Sequence, residues 1–238
     1  MGKISVCIAT YNGEKYISEQ LSTILPQLSI EDEVIVSDDN STDRTLEIIS
    51  GFNDSRISVF LNSKEKGYTS NFENALQHTN GEYIFLSDQD DLWLNDKVSR
   101  CILALQDYDL VVSDAIIIDE RKDIISDSFF SKRRHYFSFL GNLYKFGYLG
   151  CCFAFKNRVL KKALPFPRNR KYCTHDNWIF LIASLHFKTK ILTEKLVLYR
   201  RHDANVSTGG FVNETSVFFK LKYRVYLIGF LIMSAFKT

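Results

Sequence analysis

Zinc-type metal chemistry is missing from this chain: none of its 238 residues fall in a CxxC or HxxxH spacing. The five cysteines (Cys7, Cys101, Cys151, Cys152, Cys173) are odd in number and mostly in apolar surroundings, which fits reduced thiols in the cytosol better than a disulfide framework. A one-sided charge is also missing. Thirty Lys and Arg face 28 Asp and Glu, and a net charge of +2 is not the strongly basic footprint of a nucleic-acid binder. Met1-Gly2-Lys3-Ile4 runs straight into a strand-like segment, so no signal peptide and a cytoplasmic location are expected. The most apolar stretch, Val225 to Phe236, would reach roughly 18 Å as a helix, short of a hydrocarbon core of roughly 30 Å. With Lys220, Lys222 and Arg224 ahead of it, the tail reads as a helix lying on the inner face of an anionic membrane, or as a core or interface helix.

What is present is an alternation. With 45% hydrophobic residues the chain can bury a large core in one domain. Ile4 to Ala9 is a short, largely β-branched run, and Ile17, Leu21, Ile24, Leu25 and Leu28 then recur at helical spacing until Pro26 disturbs it. The unit repeats with Val34-Ile35-Val36, a helix through Leu46 and Ile49 with Ser41 as expected N-cap, and a strand at Ile57 to Leu61. Ser70-Asn71-Phe72-Glu73 reads as a capping box, and Tyr83 to Leu86 as a further strand. Such alternation predicts an α/β fold with a mainly parallel sheet and helices on both faces, whose ligands bind beyond the strands' carboxyl ends.

Three polar loops fall at those ends: Thr10 to Glu14, Asp38 to Asp43 and Asp88 to Asp91. The last holds three carboxylates in four residues, which repel by roughly 1 kcal/mol or more per pair. A hard divalent cation carrying phosphate would turn that repulsion into coordination; the alternative is an acidic turn capping the next helix. Gathering Asp38 and Asp39 on the same rim favours the first. The first turn lacks GxGxxG, which argues against a dinucleotide-dependent oxidoreductase.

The second half is less regular. Leu110-Val111-Val112 and Ile116 to Ile118 read as strands, and Gly150 to Phe155 as a buried strand whose glycine approaches the site. Lys132-Arg133-Arg134-His135 lies among aromatics, either as a solvated loop or as one that holds an anionic or lipid-linked acceptor. Pro165-Phe166-Pro167 breaks the chain, and Asp176 stands at the start of the apolar helix that follows.

Five segments in order carry a resemblance: Ala9-Thr10-Tyr11-Asn12-Gly13, Ser37 to Asp43, Ser87-Asp88-Gln89-Asp90-Asp91-Leu92-Trp93, His175-Asp176-Asn177-Trp178 and Tyr199 to Ser207. Together, over residues 3–208, they resemble the family 2 glycosyltransferases of GT-A fold, in the bacterial O-antigen and capsule branch. The resemblance implies a nucleotide-sugar-binding half (1–115), an acceptor half (116–208) and a basic, apolar tail (209–238). It implies donor contacts from Thr10, Tyr11, Asn12, Glu14, Asp39 and Asn71, with Asp39 accepting from a pyrimidine imide.

Asp88 and Asp90, followed by Asp91, resemble the family's DxD motif. The resemblance implies manganese or magnesium held against the donor diphosphate, with Asp90 bound directly and Asp88 nearer the ribose or a bound water. His202 is a further metal or phosphate contact, and Arg200 or Arg201 a phosphate partner. Asp176 takes the place of the base that deprotonates an acceptor hydroxyl, giving inversion.

The expected reaction moves one sugar, from a UDP-hexose by preference, to a glycan or undecaprenyl-diphosphate-linked oligosaccharide. Two departures stand out: Asn40 replaces the usual glycine of Asp-Gly-Ser, and the QxxRW motif of processive relatives is absent. Competing readings are a sugar-nucleotide-binding module without catalysis and, more weakly, a receiver-like signalling domain.

Overall fold

The computed structural model describes residues 2–202 and 216–236. The first half alternates as its sequence predicts: β1 (Ile4–Thr10), α1 (Ile17–Ile24), β2 (Glu33–Asp38), α2 (Thr45–Gly51), β3 (Ile57–Leu61), α3 (Tyr68–Gln77) and β4 (Tyr83–Asp88). Then come β5 (Leu92–Trp93), α4 (Lys97–Leu105), β6 (Leu110–Ile118), β7 (Ile124–Ser126), α5 (Phe129–Lys132) and α6 (Phe139–Tyr144). The last elements are β8 (Phe153–Lys156), α7 (Asn157–Ala163), α8 (His175–His186), β9 (Thr189–Arg200) and α9 (Val217–Ala235).

Nine strands form one sheet in the order β3-β2-β1-β4-β8-β6-β9-β5, with β7 paired to β6. The first four are parallel to their neighbours, but β8 runs antiparallel between β4 and β6, and β5 antiparallel to β9. The sheet is therefore mixed, with parallel pairing in its first half and between β6 and β9 and antiparallel pairing around β8 and β5. The register pairs Thr10 with Asp38 and Ala9 with Asp88, so the first, second and fourth strands end on a common rim, where the strand order reverses.

Alternation along the strands fills both faces. Ile4, Val6 and Ile8 of β1 point to a core shared with Ile17 and Leu21 of α1 and Val98 and Leu105 of α4. Ile84 and Leu86 of β4 point to the opposite core, with Phe72 of α3 and Phe180 of α8. Residues Asn177 to Ala183 of α8 are buried in succession because the helix lies between other elements, including α9. All five cysteines are buried free thiols.

Several local expectations need correction. Ser41 is not a helix cap; α2 begins at Thr45, whose N–H donates to Asp43. Ser70 to Glu73 lie inside α3, which starts after Gly67 at φ 129°, and the Glu73 carboxylate instead receives the Phe166 N–H and pairs with Arg170. The two short runs at 110–112 and 116–118 are one strand, β6. Gly150–Cys152 is a 3-10 turn rather than strand, and strand geometry begins at Phe153.

Candidate active site

The rim is built by loops that hydrogen-bond to one another. Asn12 adopts φ 47° and Asn40 φ 64°, left-handed conformations that asparagine tolerates, which bends both loops back over the strand ends. The Asn12 N–H donates 2.9 Å to Ser41 Oγ, and Asn12 Oδ1 accepts the Thr42 N–H at 2.8 Å. Glu14 Oε2 accepts the Arg44 N–H at 2.9 Å. Two residues expected as donor contacts thus use side-chain oxygens to tie one loop to the next. Thr10 Oγ1 donates 2.9 Å to the buried Asp38, while the Thr10 carbonyl accepts from Asn71 Nδ2 at 2.9 Å, leaving the buried Asn71 Oδ1 without a partner.

Asp39 is buried, its two oxygens accepting from Asn62 Nδ2 at 2.9 Å and from the Gly67 N–H at 2.7 Å. Tyr11 is half exposed above this loop. Its main chain is held by a reciprocal pair with the Gln89 amide: N–H to Oε1 at 2.9 Å and carbonyl to Nε2 at 3.1 Å. Gln89, which sequence reasoning passed over, therefore latches the first loop to the acidic loop.

Within the acidic loop the three carboxylates diverge. Ligand atoms of Asp88, Asp91 and Cys151 lie within 4.8 Å of one another, while Asp90 Oδ2 meets His202 Nε2 at 2.8 Å. The expected order, with Asp90 foremost and Asp88 set back, is not the grouping that the geometry makes. Asp91 is buried; its Oδ1 accepts the Arg200 N–H at 3.0 Å, the Cys151 thiol lies beside its carboxyl, and its Oδ2 has no hydrogen-bond partner among the described residues. Burial, and then the neighbouring Asp90 charge, push the Asp91 carboxyl up to about 8. Burial and the charges of Asp91 and Asp90 likewise raise Asp88 well above the usual carboxylate range. Lys97 is fully buried behind the loop, its ammonium 2.6 Å from the Cys151 carbonyl and 4.3 Å above the Trp93 ring.

Arg200 and His202 arrive on β9. Pairing of Trp93 with Val197 and Leu92 with Leu198 sets the strand's end against the acidic loop. The Arg200 guanidinium is almost wholly buried and engaged on all three nitrogens: Nε to the Asp90 carbonyl at 2.8 Å, Nη1 to the Glu120 carbonyl at 3.3 Å and Nη2 to Glu19 at 2.6 Å. Three of its five N–H donors are thus engaged within the protein. His202 stacks on Tyr16 with ring centroids 4.8 Å apart. Residues 203–207 of the last motif lie outside the described residues.

Asp176 is in the first turn of α8, where its Oδ1 accepts the Asn177 N–H at 2.8 Å. The Gly150–Cys152 turn carries it to the acidic loop: a Cβ on Gly150 would stand 3.2 Å from Asp176 Cβ and 2.9 Å from His175 Nε2, and the next residue is Cys151, beside Asp88 and Asp91. Tyr68 lies between the two sides; burial and then the charges of Asp176 and Asp88 push its phenol up to about 12. His175 is buried against Phe72, with ring centroids 4.1 Å apart, and burial pushes its imidazole down to about 4.

The sequence model of the family described as Glycosyl transferase family 2 matches residues 5–164. The chain belongs to glycosyl transferase family 2. It is 30% identical over 234 residues to dTDP-rhamnosyl transferase RfbG of Shigella flexneri, covering 91% of this chain and 77% of that one. It is 29% identical to the UDP-Glc:alpha-D-GlcNAc-diphosphoundecaprenol beta-1,3-glucosyltransferase WfaP of Escherichia coli, over 89% of this chain and 82% of the relative. Its fold matches that of the S. aureus TarS fragment 1–349 in complex with UDP-GlcNAc, at TM-score 0.72 and 22% identity, over 95% of this chain and 66% of that one. This glycosyltransferase thus has the GT-A fold, and the two relatives are named as a rhamnosyl and a glucosyl transferase.

Proposed function

We propose that the chain is an inverting, metal-dependent transferase that moves one sugar from a nucleotide-sugar donor, a UDP-hexose by preference, to a bacterial surface-polysaccharide acceptor. The acceptor is a glycan or an undecaprenyl-diphosphate-linked oligosaccharide. The observation that carries this reading is the short Gly150–Cys152 turn: Gly150 abuts Asp176, and the next residue, Cys151, lies beside Asp88 and Asp91. A base on one side of a sugar and a leaving-group clamp on the other is the arrangement that single displacement needs.

Residues 1–115 take the donor. Asp39 keeps lone pairs for a base imide N–H beyond its two present bonds, since a carboxylate offers about four acceptor sites. This suits uracil or thymine, in line with relatives named for a UDP and a dTDP sugar. The exposed Tyr11 ring offers a face to the base, and the unpartnered Asn71 Oδ1 an acceptor beneath the ribose.

The carboxylates fit a hard divalent cation. The buried Asp91 Oδ2 has no hydrogen-bond partner among the described residues, and burial and mutual repulsion hold the Asp88 and Asp91 carboxyls above their usual range, a charge penalty that a bound cation would offset as it displaces their protons. Asp88 and Asp91 would hold manganese or magnesium, with Asp90 oriented by His202, and the ion would stabilise charge on the departing diphosphate. Cys151, kept protonated by its hydrogen bond with the Cys152 thiol and then by burial, is a poor ligand for such an ion.

Asp176 takes the acceptor hydroxyl proton as the new glycosidic bond forms. Its Oδ1 is oriented by the Asn177 N–H, while Oδ2 takes no hydrogen bond among the described residues. Arg200 acts as a positioning residue, tying the Asp90 carbonyl to Glu19 and Glu120, and residues 116–208 receive the acceptor.

The test is a panel of nucleotide sugars with and without manganese, read by release of the nucleoside diphosphate, on the native chain and on Asp176→Asn. Transfer should need metal. Asp176→Asn should lower it by roughly 100-fold or more with donor affinity retained. Metal-independent turnover, or equal loss of donor binding and transfer in Asp176→Asn, would overturn the assignment. Donor binding without any transfer would instead describe a binding module.

A further inference from the structure

Two segments far apart in sequence carry the largest concentration of exposed apolar side chains, and they lie side by side. On and before α6, Phe137 and Leu140 are each 72% exposed and Tyr144 62%. On α9, Phe218, Leu221 and Val225 are 65%, 58% and 62% exposed. Arg224 joins the segments: its Nη2 donates 2.6 Å to the Tyr144 carbonyl, and its guanidinium lies 4.8 Å from the Tyr144 ring.

Six of the eight exposed large apolar residues between 217 and 236 form a stripe, with Val217 and Met233 outside it. At about 100° per residue, positions 218, 221, 225, 228, 232 and 236 fall within a sector of about 80°. The opposite side is already used: Leu227 and Leu231 are buried, Tyr223 hydrogen-bonds with Asn177, and Trp178 packs edge-on to Phe230. α9 thus has one apolar face docked on α8 and a second with no occupant among the described residues.

Charge selects the occupant. Residues 128–148 hold four basic residues and no acidic one, and residues 216–236 hold three and none. An isologous contact with a second copy would press basic segments against basic segments. An anionic lipid surface attracts the same charges while accepting the apolar stripe below its headgroups. No helix among the described residues is long and apolar enough to cross a membrane, so the contact is interfacial.

We propose that α6 and α9 together form a docking face for an anionic bilayer, set beside the base side of the cleft. Its place follows from the Asn177–Tyr223 bond, which anchors α9 to the residue next to Asp176. The docking stands without the sugar-transfer reading. Only its consequence, delivery of a lipid-linked acceptor hydroxyl to Asp176 from the membrane side, rests on that reading.

The experiment is flotation of the full chain with phosphatidylcholine vesicles that contain or lack phosphatidylglycerol, at low and high salt. The native chain should bind the anionic vesicles, weakly or not at all the neutral ones, and less as salt rises. Leu221→Asp with Val225→Asp, and separately Leu140→Asp, should each lower partition at least about tenfold. These positions are exposed, so far-UV circular dichroism and thermal stabilisation by UDP should be retained, showing folded variants. Absence of native binding to anionic vesicles, or variants that bind like the native chain, would overturn the proposal. So would a native dimer that Leu221→Asp with Val225→Asp dissolves without affecting vesicle binding. Vesicle partition does not use the donor site, so failure to bind nucleotide sugar in the same samples bears on the proposed reaction alone.

Discussion

Arg200→Lys separates a residue that holds the site from one that touches phosphate. The guanidinium is almost wholly buried and reaches the Asp90 carbonyl, the Glu120 carbonyl and the Glu19 carboxylate at once, in three directions that a planar fork satisfies. A lysine ammonium keeps the charge but has one nitrogen on a flexible stem, so about two acceptors lose their partner. Each such loss costs about 1–2 kcal/mol, and the variant should unfold about 2–4 kcal/mol more easily in urea. The Glu19 side chain is 34% exposed against 3% for Arg200, so Glu19→Gln should cost less while disturbing the same network. Both variants should weaken manganese-dependent UDP binding in proportion to their loss of stability, measured by calorimetry. Arg200→Lys with native stability and UDP affinity weakened tenfold or more would refute the positioning role and return the residue to the diphosphate.

Four further outcomes follow from the structure. Gly150→Ala places a Cβ 2.9 Å from His175 Nε2 and 3.2 Å from Asp176 Cβ, so the start of α8 must shift; kcat should fall about tenfold or more with donor Kd little changed, and a native kcat would sink the view of this turn as a spacer. Asp88→Asn and Asp91→Asn should each abolish the rise in Tm that manganese gives the native chain, because that rise reflects binding to the folded state alone. In metal-free protein the Asp91 carboxyl, raised to about 8, should cost increasing stability as pH climbs from about 4 toward 8, a trend that manganese should flatten. His175 has the opposite sign: its folded pKa is depressed to about 4, so its contribution is whole above about 6.5 and is lost as pH falls toward 4, by about 3 kcal/mol in all. His175→Phe should remove that acid sensitivity in urea titrations near neutrality and near pH 4; an unchanged pH profile would contradict the buried neutral imidazole.

The first half was legible because its signals are local. Each strand of β1 to β4 is a short apolar run, each helix carries its own stripe, and parallel alternation then puts Thr10, Asp38, Asp39 and Asp88 on one rim. Asn12 and Asn40, both at positive φ, sit in the polar turns that follow β1 and β2. Harder to read was whatever depends on partners far along the chain. A two-residue strand such as β5 has no period of its own and exists because β9 pairs with it. Ser70 to Glu73 matched a capping pattern, but Gly67 at φ 129° ends the preceding loop first and Glu73 is drawn to Arg170. Burial cannot be read from residue type for Lys97 and Arg200, since charged side chains are rarely enclosed unless their partners are supplied by other segments. The same holds for the roles within the acidic loop: the spacing of three aspartates is visible, but which of them face Cys151 and which faces His202 is decided by residues 60 to 110 positions away.

The site is assembled from four short pieces, residues 88–91, 150–152, 175–176 and 200–202, and each is fixed by a regular element rather than left on a free loop. β4 ends in Asp88, β8 follows directly on the Gly150–Cys152 turn, α8 opens with His175 and Asp176, and β9 closes on Arg200. Antiparallel β8 makes this possible. Lying between β4 and β6, it brings the turn before it to the same edge where β4 delivers its carboxylate. A parallel strand in that slot would present the end of the strand there instead of its beginning. The mixed sheet thus brings the turn that abuts Asp176 to the edge where β4 delivers Asp88, each on a regular element, and the proposed in-line displacement needs supports of that kind.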